Sequence, residues 1–187
     1  MNQERIIKSM AKVFVFAAVM TCLLGCQSMK WRAQFKKNLP ELGHRNWIVV
    51  ADSAYPRQNS SGIRTLVTGR DQLDVLEAVL KAIEEAPHVR AIVQMDQELA
   101  YVAEADAPGV TAYRERVKTL FEHKAVQVKP HEMIIADLDE ASQLFNVLLL
   151  KTTMTVPYTS VFFQLDCAYW SADQENRLRQ ALEKAAR

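Results

Sequence analysis

An α/β layered domain is the architecture expected from this 187-residue chain, on three grounds. Short apolar runs rich in β-branched residues recur along it, at 47–51, 63–67, 89–95, 147–150 and 161–165. Runs of that length bounded by turn residues read as buried strands. Between them lie stretches with apolar residues at helical spacing, clearest in Leu73, Leu76, Val79, Leu80 and Ile83, which Pro87 ends. The order strand, strand, helix, strand is the alternation that covers a sheet with helices.

Taken in order, the chain opens with Arg5, Lys8 and Lys12 against the single acid Glu4, followed by an apolar run over 13–24. That run is too short to span a bilayer as a permanent helix, and its flanks are those of a secretory signal. It closes with Leu23-Leu24-Gly25-Cys26, which resembles a bacterial lipobox and so implies cleavage before Cys26 and lipid on its sulfur. Residues 1–25 are therefore expected as a signal peptide, 26–37 as a lipid-anchored tether and 38–187 as one domain. This would place the protein in the bacterial envelope, periplasmic or otherwise extracytoplasmic, with the membrane as a partner through the anchor. Trp31, Phe35 and Leu39 predict a helix docking on the domain, with Lys30, Arg32, Lys36 and Lys37 on its solvated face.

The whole chain carries a formal net charge of +1. Residues 26–187 keep 20 Lys+Arg against 21 Asp+Glu, near −1, a balance that argues against nucleic acid, which needs a basic face. Of three cysteines, Cys22 leaves with the signal and Cys26 is acylated. Cys167 is left alone in an apolar stretch and is expected as a small buried hydrophobe.

Within the domain, Leu42-Gly43-His44 forms a turn into the strand at 47–51, and Asp52 stands where that strand stops. His moves protons near neutral pH and carboxylates accept them, so both partners of general acid–base chemistry are present. Residues 57–62, beginning at Arg57, are turn-rich and read as a surface loop, the kind that binds ligands at the C-terminal ends of strands in open α/β sheets. Beyond the strand at 89–95, residues 98–105 read as a short helical segment and 111–122 as a helix with a charged face. Residues 126–128 and 133–135 read as short strands around Pro130-His131, and 139–145 as a small helix. Ser171 and Gln174 predict a capping box on a final helix with a buried stripe of Leu178, Leu182 and Ala185. His88, His123 and His131 are expected at exposed loops or helix ends; Trp47, Tyr169 and Trp170 are expected as core or rim aromatics. Asp96 and Glu98 follow a strand and are minor candidates for lining a pocket.

Two stretches resemble the RbsD/FucU family of D-ribose pyranases and L-fucose mutarotases. In that family a Leu-Gly-His turn is followed eight residues later by Asp at a strand end, then by Pro; His44, Asp52 and Pro56 match without a gap. Pro157-Tyr158-Thr159-Ser160 before an apolar strand is similar to the closing motif, although Ser160 stands where the family has Asn and Thr153-Met154 where it has Gly-Glu. Lys151 falls on a basic position of the pyranases. The pyranase histidine before Pro-Tyr falls on Ala136, with His131 five residues earlier.

The resemblance implies a three-layer α/β/α sandwich with a mostly parallel central sheet, a monosaccharide ligand of ribose or fucose type, and a homo-oligomer with sites between subunits. It implies acid–base ring opening by His44 and Asp52, with Tyr158, Lys151 and Ser160 contacting the sugar; Arg57 is expected beside them from the loop after Asp52. No metal or other cofactor is called for. A non-catalytic binding or scaffold lipoprotein that has lost the activity is the alternative. A straight eight-residue strand would set His44 and Asp52 about 26 Å apart. Either the chain folds back at Arg45-Asn46 or the two residues come from neighbouring subunits.

Overall fold

The computed structural model describes residues 30–186, so the expected signal peptide and Cys26 lie outside the described residues. Six strands form one sheet: β1 (Trp47–Ala51), β2 (Ile63–Val67), β3 (Val89–Asp96), β4 (Val126–Lys129), β5 (Val147–Lys151) and β6 (Val161–Cys167). They are ordered β2-β5-β1-β6-β3-β4. β2, β5 and β1 run parallel, as do β3 and β4; β6 alone runs antiparallel, wedged between β1 and β3. The sheet is therefore mostly parallel, as expected. Central strands covered on both faces must be apolar throughout, and every residue of β1 is buried.

The helices are α1 (30–38), α2 (Gln72–Glu85), α3 (Val110–Leu120), α4 (His131–Leu144) and α5 (Ala172–Ala185). Trp31 and Phe35 of α1 join Leu76, Val79 and Ile83 of α2 and Val110, Tyr113 and Val117 of α3 in one core, against Ile48, Val50, Leu148, Leu150 and Phe163 of the sheet. On the opposite face Ile134 and Leu138 of α4 pack on Trp47, Val49, Leu149 and Phe162, with Tyr55 among them. The result is the three-layer sandwich. Asp71 caps α2 by accepting the Leu73 N–H at 2.9 Å. Gly62 crosses the end of α4 so closely that a Cβ there would collide with the carbonyl oxygens of Ser142 and Phe145. Among the described residues no helix is long and apolar enough to cross a membrane.

Four expectations need correction. The expected strand at 133–135 and small helix at 139–145 are one helix, α4. A run as short as Met133-Ile134-Ile135 has no decisive period, and Ile134 with Leu138 instead makes an i, i+4 stripe facing the sheet. The final helix has its capping box, but none of its residues is buried: Leu178 and Leu182 are 42% and 53% exposed. Cys167 ends β6 half-buried rather than in the core. Residues 98–105 are helical only as the 3₁₀ turn Gln97–Tyr101.

Candidate functional site

Because β6 runs against its neighbours, the C-terminal ends of β1 and β3 meet the N-terminal end of β6. Val161 of β6 pairs with Val50 on one side and Met95 on the other. One step beyond, Ala51 and Asp52, Ser160 and Asp96 gather at a single edge, and α4 begins directly over it. Ser160 is 3% exposed, and its hydroxyl lies 3.4 Å from Asp52 Oδ2. Asp52 Oδ1 accepts the Ala54 N–H at 2.7 Å, which starts the turn to Tyr55.

Asp96 is the unusual member. Its side chain has no solvent exposure, and His131 Nδ1 stands 3.1 Å from its Oδ2. The approach is out of line for a hydrogen bond. Both Asp96 oxygens, His131 Nδ1 and the Tyr55 hydroxyl are thus buried polar atoms with no hydrogen-bond partner among the described residues. Such groups are costly and rare. Burial pushes the Asp96 carboxyl up to about 6; nearby His131 opposes the rise, and the charges of Glu98 and Asp52 add to it. A carboxyl titrating there exchanges protons readily at neutral pH. Burial also raises the Tyr55 phenol, with the charges of Asp139, Asp96 and Asp52 adding to it, so it stays protonated.

His131 is fixed from two sides. Its backbone N–H donates to both Glu98 oxygens at 3.0 Å, so a carboxylate caps α4 where the helix dipole favours negative charge. Its ring meets the Tyr158 ring edge-on, centroids 5.6 Å apart. Tyr158 is 39% exposed and holds φ at +58°. A bulky residue in the left-handed region costs about 1–3 kcal/mol and persists only where its surroundings impose it. Here a buried network imposes it from the other face of the sheet. The carbonyl of Thr159 accepts from the Tyr113 hydroxyl at 2.8 Å and from the Gln72 amide. The Thr152 hydroxyl lies 2.8 Å from the Ala51 carbonyl and 2.9 Å from Gln72 Oε1.

The remaining sequence candidates fall in different places. Lys151 ends β5 at the same edge, where its Nζ donates to the Tyr55 carbonyl at 2.8 Å and staples the loop after β1. Arg57 lies exposed on that loop. His44 is not at this edge. The chain turns at 43–46, with Arg45 at φ +74°, and enters a five-residue strand. Folding back shortens the strand without joining its ends, so within one chain His44 and Asp52 lie at opposite ends of β1, about 17 Å of strand apart. At its own end, His44 Nδ1 is 2.9 Å from Asp166 Oδ1, and Arg90 Nε holds the other oxygen at 2.9 Å. Partial burial pushes Asp166 up, but its bonds to Arg90, the Cys167 N–H and His44 hold it below the usual carboxylate value.

His131, expected at an exposed helix end, and Asp96, a minor candidate, thus form the centre of the cluster. Gap-free counting from Pro157 aims at Ala136, which is exposed on α4. The sequence signal that finds His131 is Pro130-His131-Glu132 opening a helix straight after a strand. Among the described residues no three His, Cys, Asp or Glu side chains gather as a metal site.

No family model and no curated protein matches the chain. Among solved structures it is similar to Bacillus subtilis RbsD complexed with D-ribose, with a TM-score of 0.51 at 18% identity over 71% of this chain and 91% of that one. It is also similar to the fucose mutarotase in complex with L-fucose from Streptococcus pneumoniae, at 0.47 and 19% over 70% and 89%. FucU from Bifidobacterium longum gives 0.49 and 14% over 72% and 94%. The first of these likenesses establishes that the chain has the RbsD-like fold.

Proposed function

We propose that the edge formed by Asp52, Tyr55, Asp96, His131, Tyr158 and Ser160 binds a monosaccharide and catalyses opening and reclosure of its ring. The observation that carries this reading is the group of buried, unpartnered polar atoms around Asp96 and His131. A polyhydroxylated ligand can reach the His131 ring, whose side chain is 31% exposed, with Asp96 buried behind it. The fold shared with a ribose-complexed protein supports the ligand class.

Mutarotation needs a base for the anomeric hydroxyl and an acid for the ring oxygen. As the base takes the O1 proton, the C1–O1 bond becomes a carbonyl, the bond from C1 to the ring oxygen breaks, and the acid delivers a proton to that oxygen. Reclosure on the other face reverses both transfers. The Asp96 carboxyl, 3.1 Å behind the His131 ring, holds or releases a proton near pH 6. Asp52 and Ser160 receive sugar hydroxyls, and the exposed Tyr158 ring offers a face for stacking. His44 joins as the second proton carrier only from a neighbouring copy, which its distance from Asp52 within one chain requires. Lys151 and Arg57 border the ligand. A non-catalytic sugar-binding role is favoured by one observation: Asp52 already spends one oxygen on the Ala54 N–H.

The test is NMR saturation transfer between the anomers of D-ribose and of L-fucose, on wild type and on His131→Ala, Asp52→Ala and His44→Ala. Protein-dependent exchange that all three variants lose supports the composite site. Sugar binding with no exchange leaves the binding role alone, and neither binding nor exchange removes the sugar reading.

A further inference from the structure

Helix α1 carries four cations in eight residues, Lys30, Arg32, Lys36 and Lys37, and all four are exposed. None of them forms an ion pair among the described residues. Between them lie only the uncharged Ala33 and Gln34, also exposed. The opposite side of the helix is locked down. Trp31 and Phe35 are 1% and 2% exposed in the core, Asn38 Oδ1 accepts from Arg64 at 2.7 Å, and Arg32 lies over the Trp31 ring at 5.1 Å. The cationic face therefore moves only with the whole domain.

Charge elsewhere has the other sign. Residues 38–187 hold 16 Lys+Arg and 21 Asp+Glu, a net charge of −5. An anionic surface attracts α1 and repels the remainder, so it selects one orientation. Three residues lie between Cys26 and Lys30, and the four chain steps this makes reach at most about 14 Å. We infer that the Lys30–Arg32–Lys36–Lys37 face of α1 docks on an anionic phospholipid bilayer. This rests on the lipoprotein reading of Cys26 for its reach, though not for its charge. The single lipid tether becomes a two-point attachment. α1 packs in the layer opposite α4. Docking thus turns the edge carrying His131 and Tyr158 away from the lipid, open to the compartment where a sugar would diffuse. Each Lys or Arg near an anionic surface favours the docked state roughly fivefold.

The experiment uses the protein as purified from membranes, with an environment-sensitive NBD fluorophore on Ala33→Cys in a Cys167→Ser background. It is reconstituted into phosphatidylcholine vesicles with or without 30 mol% phosphatidylglycerol. The expected result is blue-shifted, brighter emission with phosphatidylglycerol only. That signal should be reversed by high salt and abolished by combined K30Q, R32Q, K36Q and K37Q, while a probe on Glu140→Cys of α4 stays unchanged. Equal emission on the two vesicle types, or a signal the four substitutions leave intact, overturns the docking. Intact mass reports acylation separately. The signal is also read with Cys22→Ser and Cys26→Ser added, so that no second thiol takes the probe; its loss there ties the docking to the anchor, and its persistence keeps the docking face whatever the intact mass says of acylation.

Discussion

At one end of the sheet His131 stands 3.1 Å from a carboxylate with no side-chain exposure; at the other, His44 stands 2.9 Å from a carboxylate that is 22% exposed. The residue types and spacings are nearly the same, yet the two pairs differ in what surrounds them. Asp166 is held by Arg90 and by the Cys167 N–H as well as by His44, which keeps it ionised. Among the described residues no Lys or Arg pairs with Asp96, and burial leaves it close to half protonated near pH 6. A short His–Asp distance therefore does not make a proton-transfer pair. The number of unmet hydrogen bonds and the cost of charge at the site decide it.

The largest effect that could break this contrast is catalytic. His131→Ala should lower protein-dependent anomer exchange by about 100-fold or more, the scale of losing a positioned acid–base group. Exchange that survives this change would move the chemistry away from the buried end. Mixing His131→Ala with His44→Ala chains and allowing reassembly sharpens the point. Recovery of part of the exchange is expected if each site takes His44 from a neighbour, and none if both act within one chain.

Stability comes next. The Asp96 pKa lies above the ordinary carboxylate value, so folding favours its protonated form. Its contribution is fully present below about pH 4 and is lost as pH rises through about 6, a change of about 2–3 kcal/mol. Asp96→Asn removes a buried charge and should raise the melting temperature at pH 7 by roughly 5–10 °C while abolishing exchange. Calorimetry across pH 4–8 checks both the sign and the flattening. A lower melting temperature at pH 7 would mean that the carboxylate is well paired there.

At the exposed end the sign reverses and the size falls. Asp166 is held below its usual value, so its contribution is present at neutral pH and fades as pH falls through its folded pKa. Asp166→Asn should cost about 1 kcal/mol or less at pH 7 by denaturant titration. The smallest effect belongs to α5, which continues from this same end with no buried residue. Leu182→Ser should change stability by no more than about 0.5 kcal/mol.

Much of the fold was legible because it rests on local rules. Continuous apolar runs named β1, β5 and β6, and the Leu73–Ile83 stripe with Asp71 before it named α2. α4 was misread because Met133-Ile134-Ile135 is too short to show a period, and only its packing on Val49 and Phe162 settles it. α5 was misread the opposite way: its stripe of Leu178 and Leu182 is regular, but pattern alone does not supply a surface to cover it. Of the candidate site, Asp52, Tyr158 and Ser160 could be singled out because they stand beside strand ends in two short motifs, one at 42–56 and one at 157–160. The His131–Asp96 pair was not, since it depends on β3 and the start of α4 meeting across the edge and on the depth of burial there.

The most direct measurement is NMR of the histidine ring signals of the assembled protein during titration with D-ribose and with L-fucose. Saturable shifts of the His131 ring, with the exposed His123 ring unmoved, are expected for at least one sugar. Saturating binding of a sugar that leaves the His131 ring unperturbed would contradict the assignment of the Asp96–His131 edge as the ligand site.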